Sequence, residues 1–393
     1  GAAVMPFAVG SPFLSNLPLG DHGLEWAHPE VCYSHPLDDA RAGVAYRDFA
    51  RTAAELGADA RRYRRLIQPL SARWFQLASE VMQPLAHLPR HPLLLARYGV
   101  RGLRSSKALA SSFTTAEAKG LIAGTAAHGV LPLDAPFTAA FATLFMASAH
   151  AEGWPVAVCG SQRVSDAMAS LAGELEVEIQ TSAPVDSLDD LPPCRVVLFD
   201  VDPHQLERIA GDELPKRYRE RLRSFRFGPG IFKLDHVLDG PVPWADGISD
   251  QAGTVHVGGS FDEILRAEAE VAHDSHPERP FVLVAQQSMI DPTRTRDGRQ
   301  VLWSYTHVPS GSEVDMTDAI ERQIERFAPG FRDTIIARTS TSPTELEAQN
   351  ANLIGGDIGG GSHGRSQLLF RPRVQPNPFS TADPAIFIGS AGT

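Results

Sequence analysis

The chain has 393 residues, 43% of them apolar and 21% charged, the balance of a globular protein with a sizeable core in roughly two or three domains. A formal charge of −11 excludes a general nucleic-acid binder, which needs a basic footprint. Cys32, Cys159 and Cys194 match no metal spacing or disulfide framework, so we expect a cytoplasmic protein, and no run of about 18 apolar residues marks a membrane span.

The first fifty residues predict a short helix over Pro12–Leu17 and extended pieces at Leu24–Ala27, Tyr33–Leu37 and Gly43–Tyr46. From Asp48 to about His150, Ala, Leu and Arg recur at helical spacing, with breaks at Pro69, Pro84, Pro89 and Pro132. This block interrupts the strands as an inserted cap does. A strand WPVAV then leads to Cys159-Gly160-Ser161-Gln162, where Ser161 caps a helix running to about Gly173. A strand at Val177–Gln180, a turn at Val185 and an apolar strand ending at Asp200 follow. Helices start at Pro203 and Pro215, and further helices cover Asp262–Ala272 and Asp315–Phe327. They alternate with long strands at Pro229–Leu238, Phe281–Gln287 and Val301–Val308, and AIFIG is the last strand. The alternation predicts an α/β protein, and the long polar-apolar strands predict a second, antiparallel sheet. Gly1 in place of an initiator methionine, and a closing strand followed only by a glycine turn, lead us to expect a fragment lacking both ends.

GGGSHG, Gly359 to Gly364, formally satisfies the dinucleotide fingerprint G-x-G-x-x-G, with Asp383 at about the expected distance of roughly 20 residues. A phosphate cradle needs a buried strand before the glycines and a helix after them. NANLIGGDI is too polar and glycine-broken for that strand, and Pro372, Pro376 and Pro378 forbid a useful helix. The fingerprint fails on its context.

None of the 14 histidines forms H-x-x-x-H with an acidic partner, so no metal site is expected, and no G-x-S-x-G elbow marks a serine hydrolase. His128 and His150 fall in the apolar helical block, as hydrogen-bonded core residues or as cavity lining. Arg61–Arg65 and the stretch HPLLLARYGVRGLR set cations beside apolar residues, which suits a solvated helix face or peripheral contact with a membrane. The order strand, Gly-Ser, helix, strand, Val185 turn, apolar strand ending in acid is that of the middle of a flavin-binding domain.

Several stretches carry a resemblance: SPFLSNLPLGDHGLEWAHPE, AAHGVLPLDAPFTAAF, GSQRVSDAMASL, RYRERLRSFRFGPGIFKLDHVLDGPVPW, ERPFVLVAQQSMIDPTR, VDMTDAIERQIERFAPGFRD, NLIGGDIGGG and QLLFRP. Through them the chain resembles the phytoene-dehydrogenase-like FAD-dependent oxidoreductases, a branch of the amine-oxidase and carotenoid-desaturase superfamily. The animal pyridine nucleotide-disulfide oxidoreductase domain-containing protein 2 is a more distant relative. The resemblance implies a partial Rossmann-like (GR2-like) FAD/NAD(P)-binding domain and a mixed or antiparallel-sheet substrate domain with a helical insertion. Residues 1–47 would hold a remainder of the flavin domain and the first substrate-domain strands. Residues 48–150 would be the helical cap, 151–212 a flavin-domain segment, 213–340 the substrate domain, and 341–393 a truncated return to the flavin domain. The N-terminal fingerprint and the last flavin-contacting helix of such proteins have no counterpart in the sequence.

The resemblance further implies backbone contacts from Val185 to adenine, with Asp200 and Val201 at a strand end near FAD. Gly389 and Ser390 would approach the pyrophosphate or ribityl chain, and Gly160 and Ser161 would lie at the boundary between domains. Relatives often carry Gly-Gly-Ser-Gln where this chain has Cys159-Gly160-Ser161-Gln162. His128 and the 355–363 loop, with Gly355, Gly356 and His363, are expected to line the pocket. The implied reaction is hydride transfer between flavin N5 and a small apolar, lipid- or isoprenoid-like substrate, with an electron acceptor that the sequence does not name. Flavin amine oxidation and a non-catalytic regulatory role on the same fold are the alternatives.

Overall fold

A strand buried along its whole length needs cover on both faces of its sheet, whereas an alternating strand needs cover on one. Both kinds occur in the computed structural model, which describes residues 4–84, 87–364, 367, 371 and 377–392. The strands in chain order are β1 (Trp26–Ala27), β2 (Val31–Pro36), β3 (Ala42–Tyr46), β4 (Val156–Ala157), β5 (Val197–Phe199) and β6 (Gly230–Leu238). They continue with β7 (Ala252–Val257), β8 (Val282–Ala285), β9 (Gln300–Val308), β10 (Ile335–Thr341) and β11 (Ile386–Ile388). Seven of them form a mixed sheet in the order β10-β6-β9-β8-β7-β2-β3, in which β2 and β7 run parallel and the other pairs antiparallel.

Helices between Phe49 and Ala151 cover one face of this sheet, where Tyr33, Phe281, Leu283 and Tyr305 pack with Leu121, Ile122 and Ala126. The helix Thr317–Phe327 covers the other, with Ile320, Ile324 and Phe327 against Phe232, Leu234, Val255 and Val284. β2 and β7 in the middle are buried at every position. The second sheet is the parallel pair β5–β11, with Phe199 and Ile388 against the helices Pro203–Ala210 and Lys216–Arg223. The expected α/β class and mixed sheet therefore hold.

Several local expectations are corrected. Pro12–Leu17 holds only a 3-10 turn at Leu14–Asn16, and the first α-helix is Pro6–Val9 with proline at its start. Val177–Gln180 is exposed and unpaired, because alternation makes a strand only where a neighbouring strand accepts its hydrogen bonds. The strand from Phe281 stops at Ala285, where the Gln286 side chain donates to the carbonyls of Ser249 and Ala252 and a short helix Gln287–Ile290 begins. β7, β10 and the helix Pro343–Gln349 are additional to the predicted elements: β7 is buried throughout, β10 is a polar edge strand, and the helix opens on a capping box between Ser342 and Glu345. Within QLLFRP, residues 368–370 and 372 lie outside the described residues, as does Thr393.

The helix Ala116–Ala127 presents Gly120 and Gly124 to the sheet. A Cβ on Gly120 would lie 2.9 Å from Cγ of His35, and one on Gly124 would lie 2.5 Å from Cγ and 2.6 Å from Cβ of His256. Alanine at a helical glycine normally stabilises by up to about 1 kcal/mol. At Gly124 the buried imidazole has no space to retreat, so Gly124→Ala is expected to destabilise by about 1–3 kcal/mol. Gly173→Ala, with open space around its Cβ position, is expected to be neutral or slightly stabilising. Urea unfolding of the two variants checks the contrast.

Candidate functional site

Parallel strands end with their carbonyl ends on one side, the usual ligand side of an α/β sheet. Ile388 pairs with Phe199, so Gly389 and Asp200 leave the two strands side by side, and the Gly389 N–H donates to the Phe199 carbonyl at 2.8 Å. Val201 and Val185 pack on the apolar cluster beneath this end, beside Val197, Ile386 and Ile388. Asp202 starts the helix Pro203–Ala210 by accepting from the N–H groups of His204 (2.8 Å) and Gln205 (3.2 Å). Asn352 ties the glycine loop to the same place: its Oδ1 accepts from the Asp202 N–H at 2.9 Å and from Gln205 Nε2 at 2.8 Å.

The loop itself is built on one carboxylate. Buried Asp357 accepts the main-chain N–H groups of Gly228 (2.6 Å), Gly359 (2.7 Å) and Gly361 (3.0 Å). Gly360, at φ +68°, lies so close to the C-terminal turn that a Cβ would fall 3.0 Å from the Ala391 carbonyl carbon. Arg371 joins the two segments, donating from its guanidinium to the carbonyls of Gly361 (2.8 Å), Ser362 (3.1 Å) and Ala391 (3.2 Å). Its buried Nε has no partner among the described residues. Gly355 and Gly356 are buried where the loop meets the seven-stranded sheet, close to Gly230, Ser310 and Pro343.

Asp200, Val201, Gly389 and Ser390 thus come together with the glycine loop, and Val185 lies on the cluster below them. Gly160 and Ser161 lie elsewhere in the described contacts, at the start of the helix Gln162–Glu174. There the preceding Cys159 N–H donates to Asp291 Oδ2 at 2.8 Å. Gly160 has φ +111° and no atom within 4 Å of where a Cβ would project.

A cavity of ≈ 570 Å³ adjoins the loop. Its walls are chiefly apolar, with Leu95, Tyr98, Phe137, Phe141, Leu144 and Phe379, and His363 and Arg371 also line it. His363 Nδ1 is 3.0 Å from the Gly129 carbonyl, and its ring stacks obliquely on Phe141 at 5.1 Å. Burial, with the nearby Arg371 guanidinium, lowers the His363 pKa. His128, next to Gly129, points away from this cavity. Its Nε2 is 3.0 Å from Nε2 of His256, and its ring lies against Phe145 and Trp154. One ring of that pair donates and the other accepts, so at least one is neutral. Burial pushes His128 down to about 3 and His256 well below its ordinary value, each histidine also opposed by nearby histidine charge.

Asp357, Asn352 and Arg371 were not singled out from the sequence. An aspartate between two glycine pairs, G-G-D-I-G-G, is a signal for a carboxylate that gathers turn N–H groups. The partners of Asn352 and Arg371 are remote in sequence, and no local pattern marks them. The described residues hold no group of three or more His, Cys, Asp or Glu that could bind a metal, and no helix among them is long and apolar enough to cross a membrane.

No family model matches the chain. It is 25% identical over 221 residues to the pyridine nucleotide-disulfide oxidoreductase domain-containing protein 2 of Rattus norvegicus, covering 50% of this chain and 38% of that protein. The protein of the same name from Mus musculus is 24% identical over 349 residues, 78% of this chain and 59% of its own length. The chain thus spans less than two thirds of the curated relatives it matches. Among solved structures, an oxidoreductase from Methanosarcina mazei superposes with a TM-score of 0.59 at 12% identity, over 98% of this chain and 81% of that one. Wild-type putrescine oxidase bound to putrescine gives a TM-score of 0.53 at 17% identity, over 95% of this chain and 78% of its own. In fold the chain is thus similar to these two solved proteins, and in sequence it is distantly similar to pyridine nucleotide-disulfide oxidoreductase domain-containing protein 2.

Proposed function

We propose that the chain is part of a FAD-dependent oxidoreductase of the phytoene-dehydrogenase-like kind, acting on an apolar substrate. The observation that carries this reading is the apolar cavity beside the glycine loop, whose far side packs on the C-terminal turn. The ends of β5 and β11 suit the cofactor, because backbone at Asp200, Val201, Gly389 and Ser390 meets there at the ligand side of a parallel pair. FAD, when bound, supplies a hydride acceptor or donor.

The chain's own residues bind, orient and exclude water. Phe137, Phe141 and Leu144 desolvate an apolar chain along the cavity wall. Arg371 offers one buried N–H at Nε, which suits a substrate with a single hydrogen-bond acceptor at one end. His363, neutral near pH 7 and engaged with Gly129, shapes the wall without adding a charge. Amine oxidation is the second reading, favoured by the fold shared with putrescine oxidase.

The test is anaerobic mixing of the FAD-loaded protein with isoprenoid, fatty-acyl and amine candidates, read as loss of the oxidised-flavin absorbance band. Bleaching by an apolar candidate that slows at least about tenfold in Phe141→Arg supports the proposal, since a buried cation would block the cavity. Bleaching by amines alone replaces it with amine oxidation. Bound flavin that no candidate reduces, in a protein that sodium dithionite does reduce, speaks for the regulatory alternative.

A further inference from the structure

The helix Pro92–Gly102 turns Leu93 and Val100 to solvent, while Leu95 and Tyr98 line the cavity. Among its residues only Leu94 and Gly102 are buried, while Leu93 is 87% and Val100 70% exposed. Leu103 just after it is 59% exposed and Leu88 just before it 92%. At about 100° per residue, Pro92, Leu93, Ala96, Val100 and Leu103 form one stripe, and Arg97, Arg101 and Arg104 run along its flank.

The charge around this stripe is one-sided. From residue 81 to residue 116 the sequence has no Asp or Glu, yet it holds Arg90, Arg97, Arg101, Arg104 and Lys107, in a chain of net charge −11. Arg97, Arg101 and Arg104 donate to the main-chain carbonyls of Arg65, Arg97 and Ala108, and no carboxylate pairs with them among the described residues. We propose that this stripe and its arginine row dock the chain on a lipid bilayer with anionic headgroups. An apolar row flanked by uncompensated cations matches the acyl boundary and the phosphate layer together. A second copy fits less well, because a two-fold contact sets the same arginine row against itself.

The docked surface also opens the cavity. Leu103 of the stripe and exposed Met82 both line the cavity, so its mouth would face the bilayer. An apolar substrate would then enter without crossing water; this step rests on the apolar-substrate reading, whereas the docking does not.

Co-sedimentation of the full chain with phosphatidylcholine vesicles, with or without about 30% phosphatidylglycerol, tests the docking without any turnover. Binding to the anionic vesicles is expected, weakening as salt rises. The replacements R97Q, R101Q and R104Q are each expected to weaken it about fivefold. Leu93→Glu with Val100→Glu is expected to lower it at least about tenfold and leave the melting temperature unchanged, because both side chains face solvent. Failure of the wild-type chain to bind anionic vesicles overturns the proposal, as does undiminished binding by the Leu93/Val100 pair. A concentration-dependent dimer that the same pair dissolves, without vesicle binding, assigns the surface to a second copy instead.

Discussion

Lowering the pH from about 7.5 to about 5 is expected to remove several kcal/mol of unfolding free energy. Four buried histidines set this response. Burial pushes His128 down to about 3, helped by the charge of His307, and His256 well below its ordinary value. Burial also lowers His35 to about 4, against the raising effects of the Gly259 carbonyl and Glu263. His150 falls to about 4 for the same first reason, opposed by the main chain at Arg47 and Tyr46 and by Asp48, and its Nε2 is 2.6 Å from the Tyr63 hydroxyl.

The folded values are depressed and the groups are bases. Below about pH 6.5 the unfolded chain therefore binds protons that the folded chain refuses. Stability is fully present above that pH and falls as pH drops, by roughly 1.4 kcal/mol per unit for each such histidine. The loss levels off only near the folded values of about 4 and about 3. A domain stable by about 5–15 kcal/mol would be close to unfolding at the lower pH. Urea unfolding across this range measures the slope, and His256→Leu should reduce it by about one proton. A flat stability curve between these pH values would contradict neutral, buried histidines.

Asp357→Ala is expected to cost roughly 3 kcal/mol or more of unfolding free energy. The carboxylate holds three main-chain donors, at Gly228, Gly359 and Gly361, in a buried turn. Each donor left without a partner costs about 1–3 kcal/mol, and a water entering the vacated space recovers part of that. The same turn presses Gly360 onto Ala391, so its loosening reaches the C-terminal segment beside β11. Asp357→Asn keeps one acceptor oxygen and should recover part of this loss. Urea unfolding of the two variants gives the check. An alanine variant as stable as the wild type would show that other contacts hold the loop.

Much of the α/β pattern was legible in local sequence. The helical block between Phe49 and Ala151, β6, β9 and the capped helix Phe261–Ala272 all carry periodicity or capping chemistry within a few residues. Val177–Gln180 shows the limit, since its alternation found no neighbouring strand. β7 shows the converse: AGTVHV has little strand signal, yet pairing with β2 and β8 makes it a buried central strand. The stretch GGGSHG was readable as a false fingerprint, and the structure places a 3-10 turn at Ile354–Gly356 before it where a cradle needs a strand.

By itself the sequence determined the α/β class, the helical interruption of the strands, the failure of the glycine fingerprint and the cation-lined apolar stretch after His91. Those properties depend on residue type and spacing along a few turns, which are local. Only the tertiary structure decided that Asp357 gathers N–H groups from Gly228 and its own loop, or that His128 meets His256 instead of the cavity. It also decided that Leu93 and Val100 face outward although leucine and valine usually face in. Each of these depends on which surfaces lie opposite one another after packing, and contacts between residues more than a hundred positions apart leave no periodic trace in the chain.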